Sequence, residues 1–358
     1  MKKKIIIIVI NALFLIAFIA CQLLSAAIVM PLHNQQAAKV WAGQSGERFA
    51  QLSIFFPDSY TFDADTVRSV RRSVDNALVG ASIEQKQGRT LYTDAWAAYG
   101  NVSILGERNT NPVNASVIGV GGDYFLFHPL TLRSGSYLSP NDVMKDRILV
   151  DEDLAWRLYG SVHLAGMEVL INNRPFIISG VISRESDFAT TKVYEGGLGL
   201  YMPYETLDAM TDGETKIISY EIVLPDPITS FASNIVNEIF KDESLYIIQN
   251  TSRFSLGNLF AMIYSYEDGR VTFGERSLKT SSIVLPYWEN AARYAEDWLV
   301  LLLVLSILLL ICPIVYGIIY TVILIRFGIR KLKEAIKNII KKRDNRAYKR
   351  YIQKQDTL

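Results

Sequence analysis

Three histidines, His33, His128 and His163, and two cysteines, Cys21 and Cys312, are the only imidazole and thiol ligands in 358 residues. None of the histidines lies in HExxH or at close spacing to a cysteine, so a catalytic zinc has no ligand set. His128, between Phe127 and Pro129, reads as an ordinary loop or half-buried histidine. Asp151-Glu152-Asp153 offers three carboxylates to a divalent cation, but acidic residues at a helix start are accounted for by the helix dipole alone. No GxSxG elbow is present, which removes the usual serine nucleophile. The glycine clusters Gly119-Val120-Gly121-Gly122 and Gly196-Gly197-Leu198-Gly199 lack the GxxxxGK[ST] spacing that cradles phosphate. Tight turns that need positive φ explain them instead. The expectation is a non-catalytic chain with no cofactor or metal, any ATP hydrolysis belonging to a separate protein.

Charge offers a different chemistry. Near the C-terminus Ile329, Leu332, Ile336, Ile339 and Ile340 share one helical face, with Arg330, Lys331, Lys333, Lys337, Lys341 and Lys342 around the rest. Two partners suit such a helix on its charge: an anionic inner leaflet, at about 1 kcal/mol per lysine near the surface, or nucleic acid. A basic flank beside an apolar helix is first of all a topology signal, which leaves the bilayer as the expected partner and nucleic acid as an unexpected one.

That flank belongs to a segregated charge pattern hidden by a net of +1. Residues 2–4 are lysines; residues 33–297 hold 22 Lys+Arg against 33 Asp+Glu; residues 326–358 hold 12 against 3. Between these blocks lie two charge-free runs of 28 residues, Ile5–Leu32 and Trp298–Ile325. Each exceeds the roughly 20 residues that a spanning helix needs. Both basic flanks fall on one side, so the positive-inside rule predicts cytoplasmic termini (1–4 and 326–358), spans at 5–32 and 298–325, and an acidic extracytoplasmic segment at 33–297. Pro313, inside the second run, predicts a local kink. A lipoprotein signal cleaved before Cys21 is the rival for the first run. The run stays apolar for eleven residues past Cys21, which favours an uncleaved anchor. Half the residues are hydrophobic, which excludes disorder, and residues 33–297 contain no cysteine, which excludes a disulfide framework there.

Within 33–297 two stretches share an organisation. Leu52–Phe56 predicts a strand, Asp63 or Asp65 caps a helix with Val67, Val70, Val74, Ala77 and Leu78 inward, and Ala81–Thr93 predicts a second strand. Ile217–Leu224 predicts a strand, Asp226-Pro227 opens a helix with Ile228, Phe231, Ile235 and Ile239 inward, and Leu245–Gln249 returns as a strand. One sheet with helices on it follows, built from 52–100 and 215–250, with 101–214 inserted as a β-rich subdomain. In the insert, Val117–Val120 and Ile148–Val150 predict strands, the second leading to a short helix capped by Asp151 and stopped by Gly160. Met167–Ile171 and Arg174–Ile182 predict a hairpin about Asn172-Asn173. Asn250–Glu296 is less legible: Phe254–Tyr266 has apolar residues at mixed spacing, and Tyr287–Asp297 predicts a short helix entering the second run.

The stretches Val117-Ile118-Gly119-Val120, Asp123-Tyr124-Phe125, Ser134-Gly135-Ser136-Tyr137-Leu138 and Ile148 to Gly160 occur in that order. Ala165-Gly166-Met167, Phe176 to Ile182 and Tyr201-Met202-Pro203-Tyr204 follow. Together with a membrane helix before and after, this series resembles the MacB-like periplasmic core domain of macrolide-exporter and FtsX-like ABC transporter permeases. The resemblance covers roughly residues 5–325. It implies an α+β extracytoplasmic domain between two transmembrane helices, a separate cytoplasmic ABC ATPase on which the tail with Arg330, Lys331, Lys333, Lys337, Lys341 and Lys342 docks, a second permease chain, and export or envelope transport in a bacterial cell membrane. Permeases of this kind carry two further membrane helices, so the expectation is an accessory or truncated subunit. The alternative is a membrane-anchored binding or sensing module without an ATPase, its acidity drawing cationic partners.

Overall fold

The computed structural model describes residues 2–84, 90–106, 111–194, 198–267, 272–276 and 283–355. The first charge-free run is helical, α1 (Lys2–Val29), and leads through α2 (Ala37–Ala42) into β1 (Phe49–Phe55). Helix α3 (Ala64–Gly80) starts where expected, because Asp63 accepts the Thr66 N–H at 2.8 Å. The strand expected over Ala81–Thr93 does not form: residues 81–84 and 90–92 are turn or coil, 85–89 lie outside the described residues, and β2 runs from Thr93 to Gly106. Next come β3 (Val113–Gly122), α4 (Tyr124–Phe127), β4 (Thr131–Gly135), β5 (Arg147–Asp151) and α5 (Glu152–Tyr159). Asp151 caps α5 by accepting the Leu154 N–H at 2.7 Å, and Gly160 ends it in the left-handed conformation that costs a glycine least. The hairpin β6 (Glu168–Ile171) and β7 (Arg174–Ser183) turns on Asn172 and Asn173, both at positive φ.

The remainder comprises α6 (Thr190–Val193), β8 (Gly199–Pro203), α7 (Tyr204–Met210), β9 (Ile217–Pro225), α8 (Phe231–Ile239), β10 (Tyr246–Gln249), α9 (Leu256–Glu267) and α10 (Tyr287–Gln355). Helix α8 begins later than its sequence pattern suggests, and Ile228, expected inward, lies exposed ahead of it. Asp226 still serves the helix, accepting the Ala232 N–H at 3.2 Å. The short helix expected at Tyr287–Asp297 is the start of a 69-residue one that continues through Pro313.

The strands form one ten-stranded sheet in the order β10-β1-β9-β2-β3-β8-β5-β7-β4, with β6 bridging β2 and β7. At one end, β1 and β2 flank β9 while β9 and β10 flank β1, so the two strand-helix-strand units interleave as a split βαβ arrangement. Helices α3 and α8 cover that end, burying Val67, Val74, Leu78, Ile235 and Val236 on Ile54, Ile222 and Tyr220. At the other end the pairings β2–β3, β3–β8, β8–β5, β5–β7, β7–β6 and β6–β2 close a circuit of six strands. Closure removes free edges, and the apolar filling includes Ile104, Val117, Ile148, Phe176, Ile178 and Met202. The sheet is continuous across residue 101 because β2 pairs with β9 in its first half and with β6 in its last three residues.

Gly119 and Gly121 sit in β3, not in a turn. A Cβ on Gly119 would stand 2.8 Å from Leu207, and one on Gly121 2.1 Å from the Trp96 indole, so these glycines admit side chains that lie across the strand. Gly122, at φ +64°, does turn the chain; Gly196 and Gly197 lie outside the described residues.

The chain separates into two compact units, Ser25–Leu301 and Met1–Leu24 with Leu302–Leu358. In the second, Gln22 Nε2 donates to Ser306 Oγ at 3.0 Å between two otherwise apolar helix faces. Helices α1 and α10 are each long and apolar enough to cross a bilayer.

Candidate functional site

The first turns of α10, Tyr287–Leu301, are built into the sheet unit. Trp288 is fully buried, its ring centred 4.3 Å from His128 and 6.1 Å from Tyr124. His128, expected at most half-buried, is fully enclosed because it follows α4 beneath α10 and its Nε2 meets a carboxylate oxygen of Glu221 on β9. The other Glu221 oxygen accepts Ser53 Oγ–H at 2.7 Å, and Ser53 accepts Asn250 Nδ2–H at 2.7 Å. A polar chain thus links β10's exit, β1 and β9 to the histidine under Trp288, and buried polar groups need such partners.

A second network fixes the next two turns. The Arg253 guanidinium, 1% exposed, donates Nη1–H and Nη2–H to Glu289 at 2.6 and 2.9 Å and Nε–H to Glu296 at 2.6 Å. Arg293 Nε donates to Glu289 at 2.9 Å and its guanidinium lies over the Tyr246 ring. Arg276 Nη1 lies 2.7 Å from Glu296 and 3.4 Å from Asp297. Burial opposes the charge on Arg253, but Glu289 and Glu296 outweigh it and raise its pKa well above normal. Burial would push Glu296 up; Arg253 and Arg276 overcome it and hold the carboxyl below its usual range. Beside these groups Leu32, Ala189, Ala291 and Ala295 pack together, with Ile28 of α1 and Phe254 against them.

Two cavities open in the sheet unit. One of about 430 Å³ is lined by Tyr99, Asp151, Arg184, Tyr194, Tyr201 and Tyr287, so it abuts the start of α10. Asp151 there accepts hydrogen bonds from Gly199 N at 2.7 Å and Arg184 Nε at 2.9 Å; burial still raises its carboxyl pKa. Neighbouring Glu185 is likewise raised by burial, with Tyr287 pulling it partly back. The other cavity, about 420 Å³, lies over Arg71, Asp94, Trp96, Asp123 and Lys145. Among the described residues no cluster of His, Cys, Asp and Glu could hold a metal ion. Asp151 is instead engaged with α5, Gly199 and Arg184.

The family model of the MacB-like periplasmic core domain matches residues 6–234. The chain belongs to this family. The Macrolide export ATP-binding/permease protein MacB of Neisseria gonorrhoeae is 26% identical over 264 residues, 73% of this chain and 38% of the relative. The MacB of Aggregatibacter actinomycetemcomitans is 28% identical over 141 residues, 38% of this chain and 21% of the relative. The chain therefore spans about two-fifths or less of these relatives' length. The periplasmic region of MacB from Actinobacillus actinomycetemcomitans aligns at 18% identity and TM-score 0.39, covering 62% of this chain and 94% of that one. The extracellular domain of the noncanonic ABC-type transporter YknZ from Gram-positive bacteria aligns at 14% and TM-score 0.35, covering 56% and 100%. The family model describes a periplasmic domain, and the relatives that match are named as ATP-binding/permease proteins.

The basic residues singled out in the sequence, Arg330, Lys331, Lys333, Lys337, Lys341 and Lys342, are all exposed on α10. Arg330, Lys333, Lys337 and Lys341 recur at three- and four-residue steps and form one stripe, with Lys331 and Lys342 to one side. The Arg253 network has no counterpart in the sequence reading. Its one visible signal is Glu289, Arg293, Glu296 and Asp297 interleaved with alanines immediately before a charge-free run, since Glu289 and Glu296 seven apart share a helix face.

Proposed function

We propose that this chain is a non-catalytic, ABC-permease-type subunit coupling a separate cytoplasmic ATPase to its extracytoplasmic domain, for export or envelope transport. In this reading residues 5–32 and 298–325 span the membrane, 33–297 lie outside, and 1–4 and 326–358 lie in the cytoplasm. The observation that carries it is α10: one helix whose first turns are locked in the sheet unit by Trp288 and Arg253 and whose far end bears the basic stripe. A displacement of the stripe by an ATPase would be felt at Glu289 and Glu296 along one helix whose hydrogen-bonded ladder lacks the Pro313 N–H. A second permease chain completes the translocating unit, and the stripe also rests against anionic lipid.

The test is co-purification from detergent of the full chain and of a chain ending after Arg326. The full chain should bring down an ATPase and the shortened one should lose it. Recovery of the full chain alone, with no nucleotide-dependent change in protease sensitivity, would refute the coupling role.

A further inference from the structure

We propose that α9 is an interfacial helix that lies in the outer leaflet's headgroup region and sets the height of the extracytoplasmic domain over the bilayer. This rests on reading Trp298–Ile325 as a membrane span. Leu256, Phe260 and Tyr264, at four-residue steps, form one outward stripe and are 65%, 43% and 65% exposed. Gly257 and Ala261 continue that face, and the only charge in the helix is Glu267 at its end. A helix face turned to water ordinarily carries charged residues, and a contiguous apolar face marks an interaction surface.

The occupant follows from where the helix is tied. Tyr266 at its end donates its hydroxyl to Asp297, the last charge before the apolar run. Just beyond it Phe273 meets the Trp298 ring at 6.0 Å, and Gly274 N donates to Asp297 at 2.8 Å. At the other end Arg253 and Phe254 bind the level of Glu289 to Glu296. The ties on α10 thus lie within eight residues, from Glu289 to Asp297, about 12 Å of helix, whereas the twelve residues of α9 extend about 18 Å. Both ends of α9 are therefore tied to one short stretch of α10 that ends where the charge-free run begins. Trp298 also contacts Phe188 at 5.7 Å and Tyr294 at 6.4 Å, so aromatic rings collect where α10 becomes charge-free. Aromatic rings favour the bilayer interface, and an exposed apolar helix face held at that level of a span meets the headgroup–acyl boundary, where interfacial helices bury their apolar side about 5–10 Å deep.

The test uses the full chain with Cys21→Ala and Cys312→Ala, reconstituted in phosphatidylcholine vesicles. Single cysteines are introduced by Phe260→Cys, Tyr264→Cys, Leu308→Cys or Val143→Cys, all at exposed positions, and labelled with an environment-sensitive nitrobenzoxadiazole. Vesicles carrying a spin-labelled lipid with its quencher high on the acyl chain should cut emission at 260 and 264 about two-fold, the depth expected of an interfacial helix. Position 143 should be unaffected. Position 308 should be quenched by a label deep on the chain. Quenching at 308 but not at 260 and 264 overturns the interfacial role alone. Its loss at 308 overturns the span and the inference together, and equal quenching at 143 and 260 overturns it by showing adsorption of the whole domain.

Discussion

Replacing Arg253 by methionine keeps most of the side-chain volume while removing three hydrogen bonds of 2.6–2.9 Å and the charge between two buried carboxylates. Breaking a buried ion pair from one side costs about 3–5 kcal/mol, because the partner charge stays behind. Glu289 keeps Arg293 and Glu296 keeps Arg276, which places Arg253→Met near the lower end, about 3 kcal/mol. For a unit of a few hundred residues each kcal/mol moves Tm by about 2–4 °C, so a fall of about 6–12 °C is expected. Thermal melting of the detergent-solubilised chain, followed by near-UV circular dichroism, reads it directly. The triple variant Arg253→Met, Glu289→Gln, Glu296→Gln, which removes the stranded charges, should regain at least half the loss. The difference has a pH signature. Glu296 is held below the 4.5 of a free glutamate, so its contribution is present above that pH and lost as pH falls through the folded value. The gap between wild type and Arg253→Met should therefore be widest above about pH 4.5 and narrow below it. A shift under about 2 °C at neutral pH, or a triple variant no better than the single one, would show that water already reaches these charges.

Two further expectations concern the sheet unit. Glu185 is raised above 4.5 by burial, so the folded state binds its proton more tightly and its stability contribution fades as pH rises through the folded value; Glu185→Gln should raise Tm at pH 8 and change it little at pH 4. No difference between the two pH values would refute this. Gly121→Ala should destabilise by about 1–3 kcal/mol through the Trp96 clash and alter the tryptophan near-UV signal, whereas Gly80→Ala, with open space at the end of α3, should be neutral or gain up to about 1 kcal/mol. Equal melting temperatures for the two variants would contradict the packing described.

What was legible in the sequence was local. Asp63 and Asp151 announce α3 and α5 because a cap's signal lies within three residues of the bond it makes, and Asn172-Asn173 announces its hairpin for the same reason. The helix in Asn250–Glu296 was hidden because α9 buries Leu259 yet exposes Leu256 and Phe260, so its periodicity points at two environments. The sequence pattern misplaces β2 because the strand carries buried Ala95, Ala97 and Ala98, with Gly100 close under Leu207, where volume rather than β-propensity decides. The six-strand circuit rests on the parallel pairs β3–β8 and β5–β7, between segments far apart in the chain, and no local pattern encodes such partners. Arg253 was missed on the same ground: its carboxylates are 36 and 43 residues away.

The base of α10 is seated by buried charges as well as by Trp288, Ala291 and Ala295. Well-packed apolar residues of similar volume commonly match or exceed a buried ion pair in stability, so stability alone does not explain Arg253. Register does. An apolar seat between helix and sheet tolerates small slides, because dispersion is non-directional. The Arg253 fork meets Glu289 and Glu296 seven residues apart on one face, and a slide of a fraction of a turn would take the buried Arg253 charge away from both carboxylates. The seat therefore favours one engaged position over intermediate ones, the property that the coupling proposed above would ask of this helix. A chain in which Arg253→Met retained the fold yet still coupled nucleotide state to the protease sensitivity of residues 33–297 would show that this discreteness is not what transmits the step.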